Sequence, residues 1–496
     1  MESIKLNRNN LKKITGPVKV PSYSSAGLSP SIVHIGLGNF HRSHQAVYQD
    51  ELLNRNLDKS GIFAVNLIPD SFPLGPIMEK QDNLYTLITK PPFAEAEIRI
   101  IGSIMGYLNI SQSEAAKEAA LARIAYEKTS IVSLTVTEGG YYFNKETFEP
   151  NPNEAAVQRD MENPQDPKTA AGFLAAALER RFRENRKALT VVCCDNVPQN
   201  GKVLQSSVMF FCREHRREIL PWLEDNVSFP SSMVDRITPA TTQALIEELE
   251  TKYGISDEHP VCGEDFRQWV LEDNFKTQVP DYAACGVQLV KEVEPYELMK
   301  MRLLNGSHSA LAYAGYLLGC RFVDEGITNP LLGNFIRNHY MEEVTPTLEP
   351  VPGINIKAYK DTLVSRFSNK NISDTILRLA SQGTSKIPGF ILNPLADTVR
   401  RQLPHSAMIF ALASWARFLS GRDEQGKGIL IEDENSPAIC AAAGSAQRDP
   451  GTFLVTAGLK GLSETQFLSV AGDFKKQLDM IYQKGVKSSL EEFLRV

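Results

Sequence analysis

Short apolar runs alternate with longer amphipathic stretches through the first 290 residues of the chain. The apolar runs predict buried strands at 31–35, 61–68, 129–140 and 188–196, the last two ending in polar residues. The amphipathic stretches predict helices at 44–55, 113–127 and 170–186. Strands that alternate with helices in this way favour an α/β fold with a parallel sheet.

Two further segments interrupt this alternation, and the pattern changes again near residue 290. NLYTLIT (83–89) and AEIRIIGSIMGYL (96–108) alternate apolar and polar residues, which predicts an antiparallel hairpin added to the sheet. Residues 1–30 are polar and predict an N-terminal arm. From PYELMKMRLLNGSHSALAYAGYLLG onward the pattern is mostly helical. We therefore predict an α/β domain over residues 1–288 and a mainly α-helical domain over residues 289–496.

A glycine pair follows the first predicted strand, in SIVHIGLGNFHRSH (31–44). Gly36 and Gly38 have the spacing of the first two glycines in G-x-G-x-x-G, the dinucleotide-binding turn of a Rossmann unit. These two glycines permit the tight turn and the close approach of a pyrophosphate. The third glycine is replaced by His41. From this stretch alone, a cofactor-binding turn and an ordinary strand–turn–helix connection both remain open.

Polar residues follow three of the predicted strands. Asp70 comes after the second strand, where a carboxylate can bind the ribose hydroxyls of NAD, although it could also be a turn residue. Glu138 and Asn196 come after the two later strands. Ligands of open α/β sheets bind outside the carboxyl ends of the strands, so these side chains are candidate ligand contacts. Each could equally cap a helix or stabilise a turn.

One helix of the second domain carries an unusual polar set, in YELMKMRLLNGSHSAL. On an α-helix, which turns by about 100° per residue, Lys300 and Asn305 are separated by about 140°. Glu297 and His308 fall between them. A partly desolvated lysine can act as a base, and an amide can stabilise an alkoxide. The alternatives are a surface lysine, a core histidine and an Asn-Gly turn.

Composition and charge narrow the class of protein. The chain has 496 residues and a formal net charge of −6, so no strong field attracts nucleic acid or anionic membranes. The seven cysteines include no C-x-x-C pair, and no H-E-x-x-H motif occurs, which argues against disulfides and structural zinc. The N-terminus has no apolar signal core. We expect a cytoplasmic protein without nucleic-acid or membrane partners.

Several stretches taken together resemble the polyol-specific long-chain dehydrogenases and reductases, above all their mannitol-oxidising members. The resemblance runs through nearly the whole chain, and its matching stretches are HIGLGNFHRSHQAVY, IVSLTVTEGGYY, CDNVPQNG, SFPSSMVDRITP, FRQWVLED, PYELMKMRLLNGSHSALAY and VPGINIKAYKDTLVSRFSN. The resemblance implies a Rossmann-type N-terminal domain with a mixed extended sheet, an α-helical C-terminal domain, and a cleft between them. It also implies NAD-dependent, zinc-independent interconversion of a polyol and a ketose, chiefly D-mannitol and D-fructose, by a monomer.

The resemblance assigns roles to individual residues. Those implied in catalysis are Lys300 as the base, Asn196 and Asn305 as the oxyanion hole, His308 as a substrate-binding histidine, and Glu297 near the lysine. Those implied in substrate binding are Asp235, Arg378 and Glu138. Those implied in cofactor binding are Ile35, Gly36, Gly38, Asn39, Phe40, His41, Arg42 and Asp70. No metal ligand is implied.

One position departs from the family pattern, and it leaves the cofactor and substrate open. Members that prefer NAD tend to carry two acids where this chain has Asp70-Ser71, so tolerance of NADP is an alternative to strict use of NAD. The alternative activities within the family are arabinitol oxidation and fructuronate or tagaturonate reduction. A non-catalytic nucleotide sensor on the same scaffold is the alternative from another class, and Lys300, Asn305 and Asn196 argue against it.

Overall fold

A computed structural model of the protein describes residues 3–70, 72–144 and 147–495. The chain divides into two compact units, Met1–Glu294 and Pro295–Val496. The boundary between residues 288 and 289, as the limit of the cofactor-binding and substrate-binding domains, stays a prediction.

The named strands all belong to the first unit. They are β1 Ile4–Lys5, β2 Ser29–Ile35, β3 Ser60–Asn66, β4 Tyr85–Thr89, β5 Glu97–Ile101, β6 Ile104–Asn109, β7 Ile131–Leu134, β8 Leu189–Cys193, β9 Val227–Ser228, β10 Ser232–Asp235, β11 Ile255–Ser256, β12 Val261–Gly263, β13 Gln268–Glu272 and β14 Gln288–Val290. The helices of this unit are α1 Asn39–Ser43, α2 Gln45–Asn54, α3 Leu74–Lys80, α4 Glu114–Ala125, α5 Ala155–Glu162, α6 Ala170–Glu184, α7 Asn200–His215, α8 Leu220–Asn226 and α9 Gln243–Tyr253.

The largest sheet has six parallel strands in the order β6-β3-β2-β7-β8-β9. Numbered along the chain, these strands lie in the order 3-2-1-4-5-6, which is that of a Rossmann fold. The strand order reverses between β2 and β7, where ligands of such sheets bind. The predicted Rossmann-type N-terminal domain is therefore confirmed.

The predicted hairpin forms, but it does not join the large sheet. β4 and β5 pair in antiparallel fashion, and their third strand is β12, in a separate sheet of three strands. The run 96–108 divides at Gly102 and Ser103, whose groups bond to Asp50 and Ala46 of α2. After this break β6 pairs in parallel with β3 at the edge of the large sheet. Among the described residues, sheets that combine parallel and antiparallel strand pairs are therefore the small ones.

Two cores cover the two faces of the large sheet, because side chains alternate along each strand. Val33 and Ile35 of β2 belong to the core under α4, α6 and α7. Ile32 belongs to the other core, with residues of α2 and with Trp269. The N-terminal arm also contributes to a core, because Leu6 and Ile14 pack with residues of β4, β5 and α9.

Helices joined by loops make up the second unit, and none of the named strands of the described residues lies in it. Its helices are α10 Glu294–Met299, α11 Gly306–Leu317, α12 Val323–Thr328, α13 Pro330–Phe335, α14 Met341–Val344, α15 Ile356–Phe367, α16 Ile376–Ala380, α17 Gly383–Ile387, α18 Asn393–Arg400, α19 Ser406–Phe418, α20 Ser436–Ser445, α21 Pro450–Ala457 and α22 Glu464–Phe493, of which α10 begins at the last residue of the first unit. The π-helical segments are Lys300–Asn305, Ile336–Tyr340 and Pro388–Leu392. The predicted α-helical C-terminal domain is confirmed.

None of the helices in the described part of the chain combines the length and apolar character that a membrane crossing requires.

Candidate active site

The turn between β2 and α1 requires glycine at its first position. Gly36 has φ +99°, and its N–H donates to the Val65 carbonyl at 2.8 Å. A Cβ added to Gly36 would lie 2.0 Å from the Thr135 carbonyl oxygen. Gly38 is different, because a Cβ there would meet only the Gly36 carbonyl oxygen, at 4.0 Å. Gly36 therefore serves the contact between β2 and β7, whereas Gly38 leaves the outer side of the turn open.

The residue at the third glycine position packs inward. His41 is buried, and its ring stacks on that of His34 in β2, with centroids 3.3 Å apart. The two His34 ring nitrogens contact Ser133 at 2.8 Å and Thr135 at 2.9 Å. Burial lowers the pKa of His34 to about 3, and burial beside His34 lowers the pKa of His41 well below its usual value. Both rings are therefore neutral near pH 7, and the His41 side chain packs under the turn.

The neighbouring predicted cofactor residues also make internal contacts. Arg42 is fully buried and donates to the His259 carbonyl at 2.8 Å and to the Asn39 side chain at 2.7 Å. The Asn39 amide in turn reaches Thr241 at 3.2 Å. Phe40 stacks on the ring of His44 at 5.0 Å. The side chains of Asn39 and Arg42 thus fix the start of α1.

Asp70 lies beside the glycine turn through one intermediate residue. Its carboxylate accepts from Asn66 at 2.8 Å and from the Tyr107 hydroxyl at 2.6 Å. Asn66 also accepts from the Leu37 N–H at 2.6 Å, inside the turn. The carboxylate after the second strand is therefore held near Gly36 and Gly38, as the Rossmann hypothesis requires. Ser71, the departure from the family pattern, lies outside the described residues.

Three predicted site residues of the first unit lie at or just after the ends of strands. Glu138 begins a short 3-10 helix, Glu138–Tyr141, after β7, and Asn196 follows β8. Both are exposed in this unit. Asp235 ends β10, is buried, and lies opposite Gln268 in the antiparallel pair of β10 and β13.

The polar set of the second unit lies on one continuous helix, formed by α10, a π-helical segment and α11. The N–H of Gly306 bonds to the Met301 carbonyl, five residues earlier. In a π-helix the backbone hydrogen bonds join residues that are five apart, so each residue turns the helix by less than in an α-helix. Side chains i and i+5 therefore point in more similar directions than they do in an α-helix. The separation of about 140° expected on an α-helix between Lys300 and Asn305 is therefore reduced. Lys300 and Asn305 bound this π-helical segment.

The surroundings of this helix are buried and close-packed. Lys300, Glu297 and His308 are 6%, 8% and 7% exposed. The His308 ring stacks on Phe367 with centroids 4.1 Å apart. Charged groups at this burial are uncommon unless they are paired or functional. The burial of this set therefore argues against a surface lysine.

The helix is held in place by an ion pair and by a close backbone approach. Arg302 donates to the Thr347 carbonyl at 2.8 Å, and its guanidinium lies 2.7 Å from the Asp397 carboxylate. A Cβ on Gly306 would lie 2.5 Å from the Tyr340 hydroxyl and 2.9 Å from the Phe390 carbonyl oxygen. Tyr340 and Phe390 belong to the other two π-helical segments. Gly306 thus allows these segments to pack against the helix that carries Lys300.

Arg378 differs from the buried residues around Lys300 because its side chain is exposed. It is on α16, its side chain is 55% exposed, and it forms a two-point contact with Asp374 at 2.6 and 2.5 Å. A role in substrate binding stays a prediction for Arg378, as do the roles of the other site residues.

No group of three or more histidine, cysteine or acidic side chains suited to a metal ion occurs in residues 3–70, 72–144 and 147–495. The metal-free site stays a prediction.

Comparison with known proteins gives a family for the whole chain. Residues 30–284 match the family model for the mannitol dehydrogenase Rossmann domain, and residues 292–480 match that for the mannitol dehydrogenase C-terminal domain. Mannitol 2-dehydrogenase of Phaeosphaeria nodorum is 37% identical over 99% of this chain and 86% of its own length. That of Aspergillus fumigatus is also 37% identical, over 100% of both chains.

Two solved structures are similar to the model. The ternary complex of Pseudomonas fluorescens mannitol 2-dehydrogenase with NAD and D-mannitol has a TM-score of 0.90 at 37% identity and covers 99% of both chains. A substrate-free D-sorbitol dehydrogenase has a TM-score of 0.86 at 33% identity, over 98% of this chain and 100% of that one. With both domain matches, full-length relatives and a Rossmann strand order in agreement, the chain belongs to the mannitol dehydrogenase family.

Proposed function

We propose that the protein is an NAD-dependent polyol dehydrogenase that interconverts D-mannitol and D-fructose, with a lysine base and without a metal ion. The observation that carries the proposal is the buried helix with Lys300, Glu297, Asn305 and His308, in a chain 37% identical to mannitol 2-dehydrogenases. The solved relative that binds NAD and D-mannitol supports the choice of substrate and cofactor.

The glycine turn fits a dinucleotide. The outer side of Gly38 is open to an approaching phosphate, and Asp70 lies beside the turn through Asn66. Ile35, Gly36 and Gly38 would supply the backbone around the pyrophosphate, and Asp70 would accept bonds from the ribose hydroxyls. When bound, NAD supplies the hydride acceptor for the carbinol carbon. Since the Asp70 carboxylate repels a 2′-phosphate, NAD is preferred, with NADP tolerated if one acid is insufficient.

The roles of the chain's own residues follow from their chemistry. In its neutral form the Lys300 amine accepts the hydroxyl proton of the substrate, directly or through Glu297 and water. The side-chain amides of Asn196 and Asn305 donate to the developing alkoxide. His308, held on Phe367, hydrogen-bonds a neighbouring substrate hydroxyl.

The other predicted residues bind the remainder of the polyol. Asp235 and Glu138 accept hydrogen bonds from its hydroxyls, and Arg378 donates to them. Such remote contacts orient the reacting carbon.

A substrate panel tests the proposal. Initial rates are measured with D-mannitol, arabinitol and sorbitol, each with NAD and NADP, and in the reductive direction with fructose and fructuronate. We expect the largest kcat/KM for D-mannitol with NAD, read as a rise in absorbance of the reduced nicotinamide. The similar D-sorbitol dehydrogenase makes sorbitol the first alternative substrate. Faster turnover of sorbitol than of D-mannitol would show that the proposed substrate is wrong. Turnover of none of them would favour a nucleotide sensor.

We also propose a reducing, cytoplasmic location and a monomeric state. All seven cysteines are free, which supports the location. Sedimentation velocity would check the monomer.

A further inference from the structure

The carboxylate of Asp195 joins the ends of two neighbouring strands of the large sheet. It comes directly before Asn196, after β8. One oxygen accepts from the N–H of Thr137 at 3.0 Å, and the other accepts from the N–H of Val136 at 2.9 Å. The second oxygen also accepts from the Tyr141 hydroxyl at 2.6 Å. Three donors from the segment after β7 therefore converge on one carboxylate at the end of β8.

The segment held by Asp195 is strained at the residue before Glu138. Thr137 has φ 67° and ψ 158°. A β-branched residue is rarely found at positive φ, and such a conformation persists only where surrounding bonds impose it. The Asp195 bond to the Thr137 N–H is such a bond. It fixes the direction in which the chain enters the short helix that begins at Glu138.

The backbone of Asp195 extends the connection to a third strand. Its carbonyl accepts from the N–H of Val197 at 2.8 Å and from the Asn200 amide at 3.0 Å. The same Asn200 side chain bonds to both backbone groups of Ser232, at 2.7 and 2.9 Å. Ser232 begins β10, the strand that ends at Asp235. Residues before Glu138, beside Asn196 and in the strand of Asp235 are therefore connected by hydrogen bonds through Asp195.

We propose that Asp195 is a positioning residue for catalysis, which holds Glu138 and Asn196 in the arrangement that the substrate requires. This rests on the proposed function, because Glu138 and Asn196 act on the substrate only in that scheme. Asp195 bonds directly to the segment before Glu138 and reaches the glycine turn only through Thr135, so its loss affects turnover more than cofactor binding.

Asp195→Asn is the decisive variant. The amide keeps the shape of the side chain but has a single acceptor oxygen, and its NH2 group faces a backbone N–H. We expect kcat for the polyol to fall on the order of 10- to 100-fold, because small displacements of positioned groups have large effects. The Kd for NADH should change much less than kcat, since Gly36 and Gly38 make no direct contact with Asp195.

Asp160→Asn is the matched control. Asp160 is a buried aspartate of the same unit, and it also accepts from two backbone amides, those of Lys168 and Thr169, both at 2.8 Å. It lies on α5 and holds the start of α6, with no bond to the segment 136–141. A purely structural role predicts that both variants lose thermal stability and keep kcat when assayed well below the Tm. The proposal predicts that only Asp195→Asn loses kcat, and equal kcat in the two variants would overturn it.

Amide hydrogen exchange separates this proposal from the proposed function. In Asp195→Asn we expect faster exchange in residues 134–142, and unchanged exchange there would refute the proposed role of Asp195. Tyr141→Phe removes one of the three donors and should lower kcat less than Asp195→Asn. A wild-type protein that oxidises no polyol would instead refute the function, whatever the exchange shows.

Discussion

At the scale of single residues, the predicted base and the residues that support the glycine turn differ in the contacts that bury them. Lys300 is buried on a helix that its sequence already marks as unusual, whereas His41 and Arg42 are buried by packing and backbone contacts. The distinction could not be made from the sequence, because a buried packing histidine and a cofactor-binding histidine use the same residue type. The contacts show how His41 and Arg42 support the turn, and their roles in cofactor binding stay predictions.

Replacing Lys300 by alanine tests the base. We expect kcat for D-mannitol to fall by about 10²- to 10⁴-fold, the usual contribution of a positioned base, with the Kd for NADH unchanged within about twofold. Initial rates across pH and NADH fluorescence titration measure the two quantities.

Lys117→Met is the control for burying an apolar group in place of a lysine. Lys117 is also buried, and it pairs with Glu114 and Asp166 of the first unit. We expect lower stability and normal kcat in this variant. Normal kcat and an unaltered pH profile in Lys300→Ala would remove Lys300 from the mechanism.

The glycine turn makes a second test at the residue scale. Gly36→Ala places a Cβ against the Thr135 carbonyl oxygen at φ +99°, and we expect it to destabilise the first unit by about 1–3 kcal/mol or more. Gly38→Ala meets no protein atom closer than 4.0 Å, so the Tm should hold while the Kd for NADH rises on the order of tenfold. Thermal unfolding and NADH titration check the pair, and equal effects of the two changes on both would contradict their assignment.

At the scale of helices and strands, the sequence predicts whether a segment is a helix or a strand better than it predicts which segments pack or pair with each other. The predicted strands and helices around the glycine turn are present, since their apolar periods are clear. The sequence predicts that the hairpin of β4 and β5 joins the large sheet, which is wrong. The apolar run 96–108 contains two strands, because β5 ends before Gly102 and Ser103. The π-helical turn from Lys300 to Asn305 was not predictable either, because it depends on packing against Tyr340 and Phe390, which are distant in sequence.

Gly306→Ala tests the packing of the π-helical segments. Its Cβ would press on the Tyr340 hydroxyl at 2.5 Å, and overpacking of this kind costs about 1–3 kcal/mol. We also expect kcat to fall, because Gly306 adjoins Asn305. Adding Tyr340→Phe removes the first of the two contacts and should restore part of the stability. A double variant no more stable than the single one would show that the hydroxyl contact is not limiting.

At the scale of the molecule, the first unit contains several histidines that its fold keeps neutral. Burial lowers the pKa of His34 and of His44 to about 3 and that of His259 to about 4, and it lowers that of His41 strongly. In the unfolded chain these groups take up protons near pH 6.5. Because the unfolded state then binds more protons, stability is present above pH 6.5 and is lost as the pH falls below it.

Acid sensitivity of the first unit follows, and His41→Phe tests it. The phenyl ring can still stack on His34, but it does not titrate. Lowering the pH from 6.5 to 5 should destabilise the wild type more than the variant, because the unfolded chain takes up a proton at His41 that the folded chain does not. Free energies from native-state hydrogen exchange in β2 and β7 measure it. His215→Asn, an exposed change on α7, should behave as the wild type. An undiminished pH dependence in His41→Phe would contradict the assignment.

The stacked His34 and His41 pair also limits how the cofactor preference of this enzyme could be re-engineered. Grafting a three-glycine loop from another Rossmann protein would delete the ring that fills the space over His34 and the guanidinium that satisfies the His259 carbonyl. The graft would therefore leave a cavity between the loop and the strand that carries His34. Redesign for the phosphorylated cofactor should begin instead at Asp70, which lies after β3 and is held by Asn66 and Tyr107.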